Sequence, residues 1–323
     1  MKKSIALSLL LTLSLPFGQA FAAEGPPTYR ISGVDRYETS ANISYEGWET
    51  SEVAVIATGQ DFPDALSATP LAYKYDAPLL LTGTKSLSDS VKGELVDLEV
   101  SKVFLIGGAV AISANVENQL KELGITDITR IKGADRYETS VNIAKEVGPS
   151  EGIVVAAGQS FPDALSIAPV AAQLEAPILL TKKEGLPKSV AEYVDSLDSV
   201  SGSLVVGGEG VISNNVMTQL PDPERLSGKD RYETNSEIIT YFADEGILDM
   251  DYPFIATGQD FPDALSASAL AAGSFNGVIL TDPKKPYPST KATVKKYADL
   301  AEGYIIVGGE KALPTSVINE LLK

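Results

Sequence analysis

Short apolar runs punctuate the chain at residues 53–57, 78–81 and 103–106, rich in Val, Ile and Leu and barely alternating with polar positions. Runs of this length, bounded by turn residues, predict parallel strands buried on both faces. Between them lie stretches with a helical stripe, at residues 64–73, 88–98 and 113–123, and a further helix is expected after residue 35 and its counterparts. Tyr137, Val141 and Ala144 mark that helix's apolar side in the second copy. Strands alternating with helices imply right-handed crossovers and a three-layer α/β sandwich around a small parallel sheet.

The pattern repeats. Residues 30–39 carry Arg30, Gly33, Asp35, Arg36, Tyr37, Glu38 and Thr39; residues 130–139 and 225–234 carry the same types at the same spacing. A second phrase, Gly59-Gln60-Asp61-Phe62-Pro63-Asp64-Ala65-Leu66-Ser67, returns from Gly158 and from Gly258. A third, Gly107-Gly108, returns as Gly207-Gly208 and Gly308-Gly309, each closing an apolar run. A period near 100 residues is the size of one small domain. Repeat boundaries are expected near Thr28, Ile128 and Glu224, giving copies at 28–127, 128–223 and 224–323. Only Pro221-Asp222-Pro223 forms a proline-rich joint, so the copies should pack on one another. Three equal, tightly linked units favour a pseudo-threefold triangular assembly over an open row.

Residues 1–22 have a different character. Lys2 and Lys3 precede an apolar run and then Ala20-Phe21-Ala22, the layout of a secretory signal peptide. The run is shorter than the ~18–20 residues of a membrane span. The mature chain is therefore expected outside the cell, without a spanning helix.

Composition narrows the chemistry. There is no Cys and no His, which removes disulfides, thiolate nucleophiles, Ser-His-Asp hydrolysis and the commonest zinc ligand. The formal net charge of −17 becomes −19 once Lys2 and Lys3 leave with the leader. Nucleic acid is an unpromising partner for such a surface.

Each phrase has a structural reading beside a functional one. Asp35 followed by Glu38 has the form of a capping box, as do Asp135 with Glu138 and Asp230 with Glu233. No helix start requires Arg36, Arg136 and Arg231, nor Arg30, Arg130 and Arg225; an arginine fork suits either a structural ion pair or a ligand carboxylate or phosphate. The second phrase runs from a strand end into a helix start, at the sheet edge where α/β ligands bind. There Asp61, Ser160 and Asp260 read as helix caps. Asp64, Asp163 and Asp263 are favoured by the helix dipole, and Pro63, Pro162 and Pro262 fit a first helical turn. The double glycines read as strand-exit turns, because no Gly-Lys-Ser/Thr follows them.

These phrases, with Ala176-Pro177-Ile178-Leu179-Leu180, resemble the cell wall binding repeat 2 family over essentially the whole mature chain. The resemblance implies three repeats in a triangular assembly that anchors surface proteins noncovalently to an anionic secondary wall polymer of Gram-positive bacteria. The candidate polymer-binding residues are then Arg30, Asp35, Arg36, Gln60 and Asp64; Arg130, Asp135, Arg136, Gln159 and Asp163; and Arg225, Asp230, Arg231, Gln259 and Asp263. No catalytic residue, metal site or cofactor is expected. With the repeats running to Lys323, an attached enzyme is not expected either, and any cargo would be a partner protein. The alternatives are a self-assembling surface-layer component and, further off, a carboxylate- or metal-dependent wall hydrolase. One departure bears on the third copy: the Pro-Ile-Leu-Leu phrase is Pro78-Leu79-Leu80-Leu81 in the first copy and Gly277-Val278-Ile279-Leu280 in the third, which puts the third copy's share of binding in question.

Overall fold

The computed structural model describes residues 25–198 and 200–323; the expected signal peptide lies outside them. The first copy runs β1 (Thr28–Ile31), α1 (Arg36–Gly47), β2 (Val53–Thr58), a 3-10 turn (Ala65–Ser67), α2 (Thr69–Lys74), β3 (Leu79–Thr82), α3 (Asp89–Asp97), β4 (Lys102–Ile106) and α4 (Ala114–Glu122). The second repeats this order as β5 (Asp127–Ile131), α5 (Arg136–Val147), β6 (Gly152–Ala157), α6 (Pro162–Gln173), β7 (Ile178–Thr181), α7 (Lys188–Asp195), β8 (Gly202–Val206) and α8 (Asn214–Met217). The third follows as β9 (Pro223–Leu226), α9 (Arg231–Asp244), β10 (Phe254–Thr257), α10 (Pro262–Gly273), β11 (Val278–Thr281), α11 (Pro288–Lys296), β12 (Tyr304–Val307) and α12 (Thr315–Leu321).

The three apolar runs of each copy are strands, as expected, but every sheet has a fourth. The orders are β3-β2-β4-β5, β7-β6-β8-β9 and β11-β10-β12-β1, and the pairings are parallel. The opening strand of each repeat thus completes the sheet of the repeat before it. The first strand of the chain completes the last sheet, with Thr28 opposite Tyr304 and Ile31 opposite Val307. That exchange closes the three copies into a ring. These fourth strands escape a hydrophobic pattern because they lie at a sheet edge and are mostly half-buried: Thr-Tyr-Arg-Ile in β1, Pro-Glu-Arg-Leu in β9.

At the other edge of each sheet the strand amides are satisfied by the helix that follows the Asp-Arg-Tyr-Glu phrase. Ser40 Oγ accepts from the Leu81 amide at 3.1 Å, Ser140 Oγ from Leu180 at 3.1 Å, and Asn235 Oδ1 from Leu280 at 2.8 Å while its Nδ2 donates to the Val278 carbonyl. A buried amide left unpaired costs ~1–3 kcal/mol. The Pro-Ile-Leu-Leu phrase is therefore core, and its variation has a packing reason. A Cβ at Gly277 would collide with Ile239 Cδ1, and Ile239 stands where the other copies have Ser44 and Ala144. The larger helix residue replaces the proline ring, and β11 is as buried as β3 and β7.

The helices that follow the second phrase pack against one another around the pseudo-threefold axis. Their facing sides are small, including Ala164, Ala168, Ala171, Ala264 and Ala267, all buried, so the backbones approach closely. Thr69 and Ser268 share a hydroxyl bond at 2.6 Å across this interface. In the first copy the expected single helix is split at Ala68 into the 3-10 turn and α2, whereas α6 runs on through Pro169. At one end of the axis, Phe62, Phe161 and Phe261 form a triangle with ring centroids 5.6, 5.8 and 6.3 Å apart. The phenylalanine of the repeated phrase is thus the place where the three copies meet. One apolar core runs through all three copies, and a second lies between the first sheet and α3 and α4. Among the described residues no helix is long and apolar enough to cross a membrane.

Candidate functional site

The Asp-Arg-Tyr-Glu phrase folds as a helix start. Asp35 Oδ1 accepts from the amides of Tyr37 and Glu38 at 2.9 Å, and Glu38 Oε2 reaches back to the Val34 amide at 2.7 Å. Asp135 with Glu138 and Asp230 with Glu233 repeat the arrangement. Gly33 sits against this turn so tightly that a Cβ would lie 2.6 Å from the Thr39 amide nitrogen, which is why glycine recurs there as Gly133 and Gly228. The reading of Asp61, Ser160 and Asp260 as caps does not hold. The N-cap positions of α6 and α10 are Phe161 and Phe261, and Asp61 and Asp260 only accept from the next residue's amide. Proline at the helix start displaces the cap chemistry. Pro162 and Pro262 do open their helices, as expected, whereas Pro63 lies in a turn ahead of the 3-10 segment that begins at Ala65.

The structure separates the two arginine series. Arg30, Arg130 and Arg225 lie behind the double-glycine turns, on the strands that cross between copies. Arg130 donates to the Gly107 carbonyl at 2.7 Å and grips Glu117 at 2.6 Å. Arg30 donates to Gly308 and Leu313 carbonyls at 2.6 and 3.0 Å and pairs with Glu310. Arg225 donates to Gly207 and to Asn214. Their forks are occupied by the turn of the preceding copy.

Arg36, Arg136 and Arg231 instead stand between copies at the front. Each gives one nitrogen to the glycine carbonyl of its own second phrase, at Gly59, Gly158 and Gly258. Each also faces the second phrase of the preceding copy. Arg36 lies 3.5 Å from Asp260 and its guanidinium 5.8 Å from the Phe261 ring; Arg231 lies 5.5 Å from the Phe161 ring. These contacts combine ion pairing with cation–π attraction at half-buried positions, worth ~0.5–1 kcal/mol each.

Beside each of these arginines is a carboxyl group lodged under a double-glycine turn. A Cβ at Gly107 would lie 2.9 Å from Asp64 Oδ2, and one at Gly207 2.7 Å from Asp163 Oδ2; Gly308 is as close to Asp263. All three glycines have φ between +102° and +121°, a conformation in which glycine alone is unstrained. Burial raises the Asp163 carboxyl to about 6 against the pull of Arg231. Burial and the neighbouring Asp260 charge raise Asp263 to about 6 against Arg36. Asp64 is raised by burial too, with Thr139 and Arg136 opposing. Desolvation outweighs the nearby arginine in each case.

At two of the junctions the result is a cleft built from two copies. The first-to-second cleft, about 620 Å3, brings Gln60, Asp64, Asp135 and Arg136 together with Thr84 and the 108–111 turn. The third-to-first cleft, about 450 Å3, brings Asp35, Arg36 and Asp263 together with Asp260 and the 309–312 turn. At the second-to-third junction the same parts are Gln159, Asp163, Asp230 and Arg231, with Gly208 next to the Gly228 carbonyl and the Ser213 amide donating to the Lys183 carbonyl at 2.8 Å. Arg30, Arg130 and Arg225 do not line these clefts, and Gln259 is outside the third-to-first lining, donating to Tyr232 and Asp282 instead. The sequence missed Thr84 and the turn residues, because they become neighbours only through the sheet edge. Among the described residues no cluster of three His, Cys, Asp or Glu side chains is placed to hold a metal ion.

A family model described as cell wall binding domain 2 matches residues 30–117, 130–217 and 225–318. The chain belongs to that family. It is 35% identical over 292 residues to the N-acetylmuramoyl-L-alanine amidase LytC of Bacillus subtilis, covering 90% of this chain and 57% of the amidase. It is 31% identical to the amidase enhancer of the same organism, covering 91% of this chain and 40% of that protein. The chain thus spans roughly half the length of these relatives. Among solved structures, Cwp6 from Clostridium difficile superposes with a TM-score of 0.84 at 30% identity, over 92% of this chain and 48% of that one. Cwp8 from the same organism gives 0.81 at 26% identity, over 91% and 51%. The α/β fold with three parallel four-stranded sheets is common ground for the family.

Proposed function

We propose that this protein is a noncovalent wall anchor whose three junction clefts bind successive units of one anionic secondary wall polymer. The observation that carries the reading is the recurrence of one composite set of residues at every junction, around a cleft at two of them. Each junction offers an arginine with donor capacity to spare and a carboxyl group lodged under a double-glycine turn. Arginine suits a phosphate or carboxylate of the polymer, and the carboxyl group accepts from sugar hydroxyls. The protein and an anionic polymer repel at long range, so attraction is local and screened beyond about 10 Å. A single weak cleft is enough when three act on one chain, because linked sites raise apparent affinity by ~10²–10⁴. Export through the leader at residues 1–22 and residence on the outer face of the cell wall belong to the same reading, as does carriage of a partner protein.

The test is co-sedimentation of the mature protein with isolated walls, intact and stripped of secondary polymers, in a chelator series. Binding that disappears with the polymer supports the anchor. Equal binding to bare peptidoglycan removes the polymer from the reading, and growth in particle size without wall material points to self-assembly instead. Loss of binding in chelator identifies a bridging cation rather than direct arginine contact.

A further inference from the structure

The three clefts share a plan but not a charge. At the position of Asp61 and Asp260 the second copy has Ser160; at that of Val34 and Ala134 the third has Lys229; at that of Thr84 and Pro283 the second has Lys183. All three departures fall at the second-to-third junction, and all three make it more positive. The 208–211 turn adds Glu209, but its carboxylate is taken by Asn214 at 2.8 Å on the far side, towards Arg225. Arg36 has Asp260 as an ion partner; neither Arg136 nor Arg231 has an ion-paired carboxylate among the described residues, but Arg136 shares its cleft with Asp61 whereas Arg231 meets Ser160 at that position. Gln60 accepts from Thr84 at 3.0 Å and Gln259 donates to Asp282 at 3.1 Å, whereas the Gln159 side chain has no such bond among the described residues. Lys183 and Lys229 are exposed, Lys183 with Glu184 at 3.9 Å as a loose, solvent-exposed ion partner. The other two clefts have exposed Val110 or Val34 on their rims, with Asp61, Asp64 and Asp135 lining one and Asp35, Asp260, Asp263 and Glu310 the other.

Resting on the wall-polymer reading above, we propose that the three clefts divide the work: the second-to-third cleft takes an oxyanion of the polymer, a phosphate or carboxylate, through Arg231, Lys183, Lys229 and the Gln159 amide, while the other two take its neutral sugar faces. A planar fork, two ammonium groups and a free amide match the three acceptor oxygens of a phosphate. Several carboxylates beside an exposed valine match hydroxyl donors and an apolar sugar face. Of the carboxyl groups at this junction, Asp230 accepts from the Tyr232 and Glu233 amides and Glu209 from Asn214, while Asp163 is buried beside Arg231; with Asp163 titrating near pH 6, oxyanion affinity rises as pH falls from 7 to 5.

The probe is inorganic phosphate at constant ionic strength, read by amide NMR shifts of the whole mature protein. The expected result is saturable shifts at Ser160, Lys183 and Lys229 and none at Asp61, Thr84 and Ala134. Lys183→Glu with Lys229→Glu should weaken phosphate binding about tenfold or more, with distant amides unmoved to show an intact fold. The transplant Asp61→Ser, Thr84→Lys and Ala134→Lys should create a phosphate response in the first-to-second cleft. Equal shifts in all three clefts, no shifts in any, or an unchanged affinity in the double variant overturns the division of labour. Wall sedimentation of the unaltered protein is scored separately. If it binds walls but phosphate reaches no cleft, this inference alone falls; if it binds no walls, the anchor reading falls whatever phosphate does.

Discussion

Two sets of arginines, six residues apart in every repeat, serve opposite sides of the same junction. Arg30, Arg130 and Arg225 sit on the crossing strands with their donors spent on carbonyls, Glu310, Glu117 and Asn214. Arg36, Arg136 and Arg231 sit at helix starts, with one nitrogen anchored and the rest of the fork facing a cleft. One set holds copies together; the other presents chemistry where they meet. Recurrence in a repeat therefore does not distinguish scaffold from site, since both are copied with equal fidelity. The number of donors each arginine has left over does.

The comparison breaks most severely at the ring seam. Removing residues 25–31 takes away β1 and Arg30, leaving the Tyr304 and Gly308 amides without the Pro27 and Ile31 carbonyls they bond. Hydrogen exchange along β12 should accelerate sharply, while β4, whose partner β5 is intact, stays protected. Equal protection of both strands would mean that the crossing strand is dispensable to closure.

Arg130→Ala should be the costliest single arginine change. It removes a grip on Glu117 at mostly buried positions and leaves the Gly107 carbonyl unpaired, a loss of ~2–3 kcal/mol in chemical unfolding. Wall sedimentation per folded molecule should hardly change. The triple variant Arg36→Ala, Arg136→Ala and Arg231→Ala should do the reverse, abolishing sedimentation while unfolding remains cooperative. A triple variant that still sediments fully would take these side chains out of the mechanism.

A smaller effect comes from the carboxyl groups under the glycine turns. Asp163 and Asp263 have folded values raised to about 6 from a usual 3.8, so between pH 4 and 6 the folded protein binds more protons than the unfolded chain. Their contribution to stability is greatest at the acid end of that window and falls as pH rises through 6. Melting temperature should be higher near pH 5 than at pH 7.5, and Asp163→Asn with Asp263→Asn should flatten the slope. A slope that persists in that double variant would assign it to other groups.

The amino-acid sequence carried more of the fold than of the site. The buried strands were legible because parallel strands covered on both faces must be apolar throughout, and the helix starts because Asp, Glu and Gly meet local backbone demands within six residues. The crossing strands were not, since a half-buried edge strand such as Pro-Glu-Arg-Leu has no apolar run to betray it. The cap reading of Ser160 and Asp260 failed because their helices open on the following Phe-Pro, and that of Asp61 because the first copy's 3-10 turn begins at Ala65; a local motif cannot show which residue is the last before a helix.

Repeat number, repeat phase, strand positions and capping boxes were thus determined along the chain, where the forces are short-range and the spacing is fixed by backbone geometry. The closure of β1 on β12, the phenylalanine triangle on the axis and the approach of Arg36, Arg136 and Arg231 to the preceding copy's second phrase were decided only in three dimensions. They join residues about seventy or more positions apart, and their partners are chosen by how three sheets pack around one axis. The same packing makes the clefts: each residue type was visible in its own repeat, but a site built from two copies exists only after they meet.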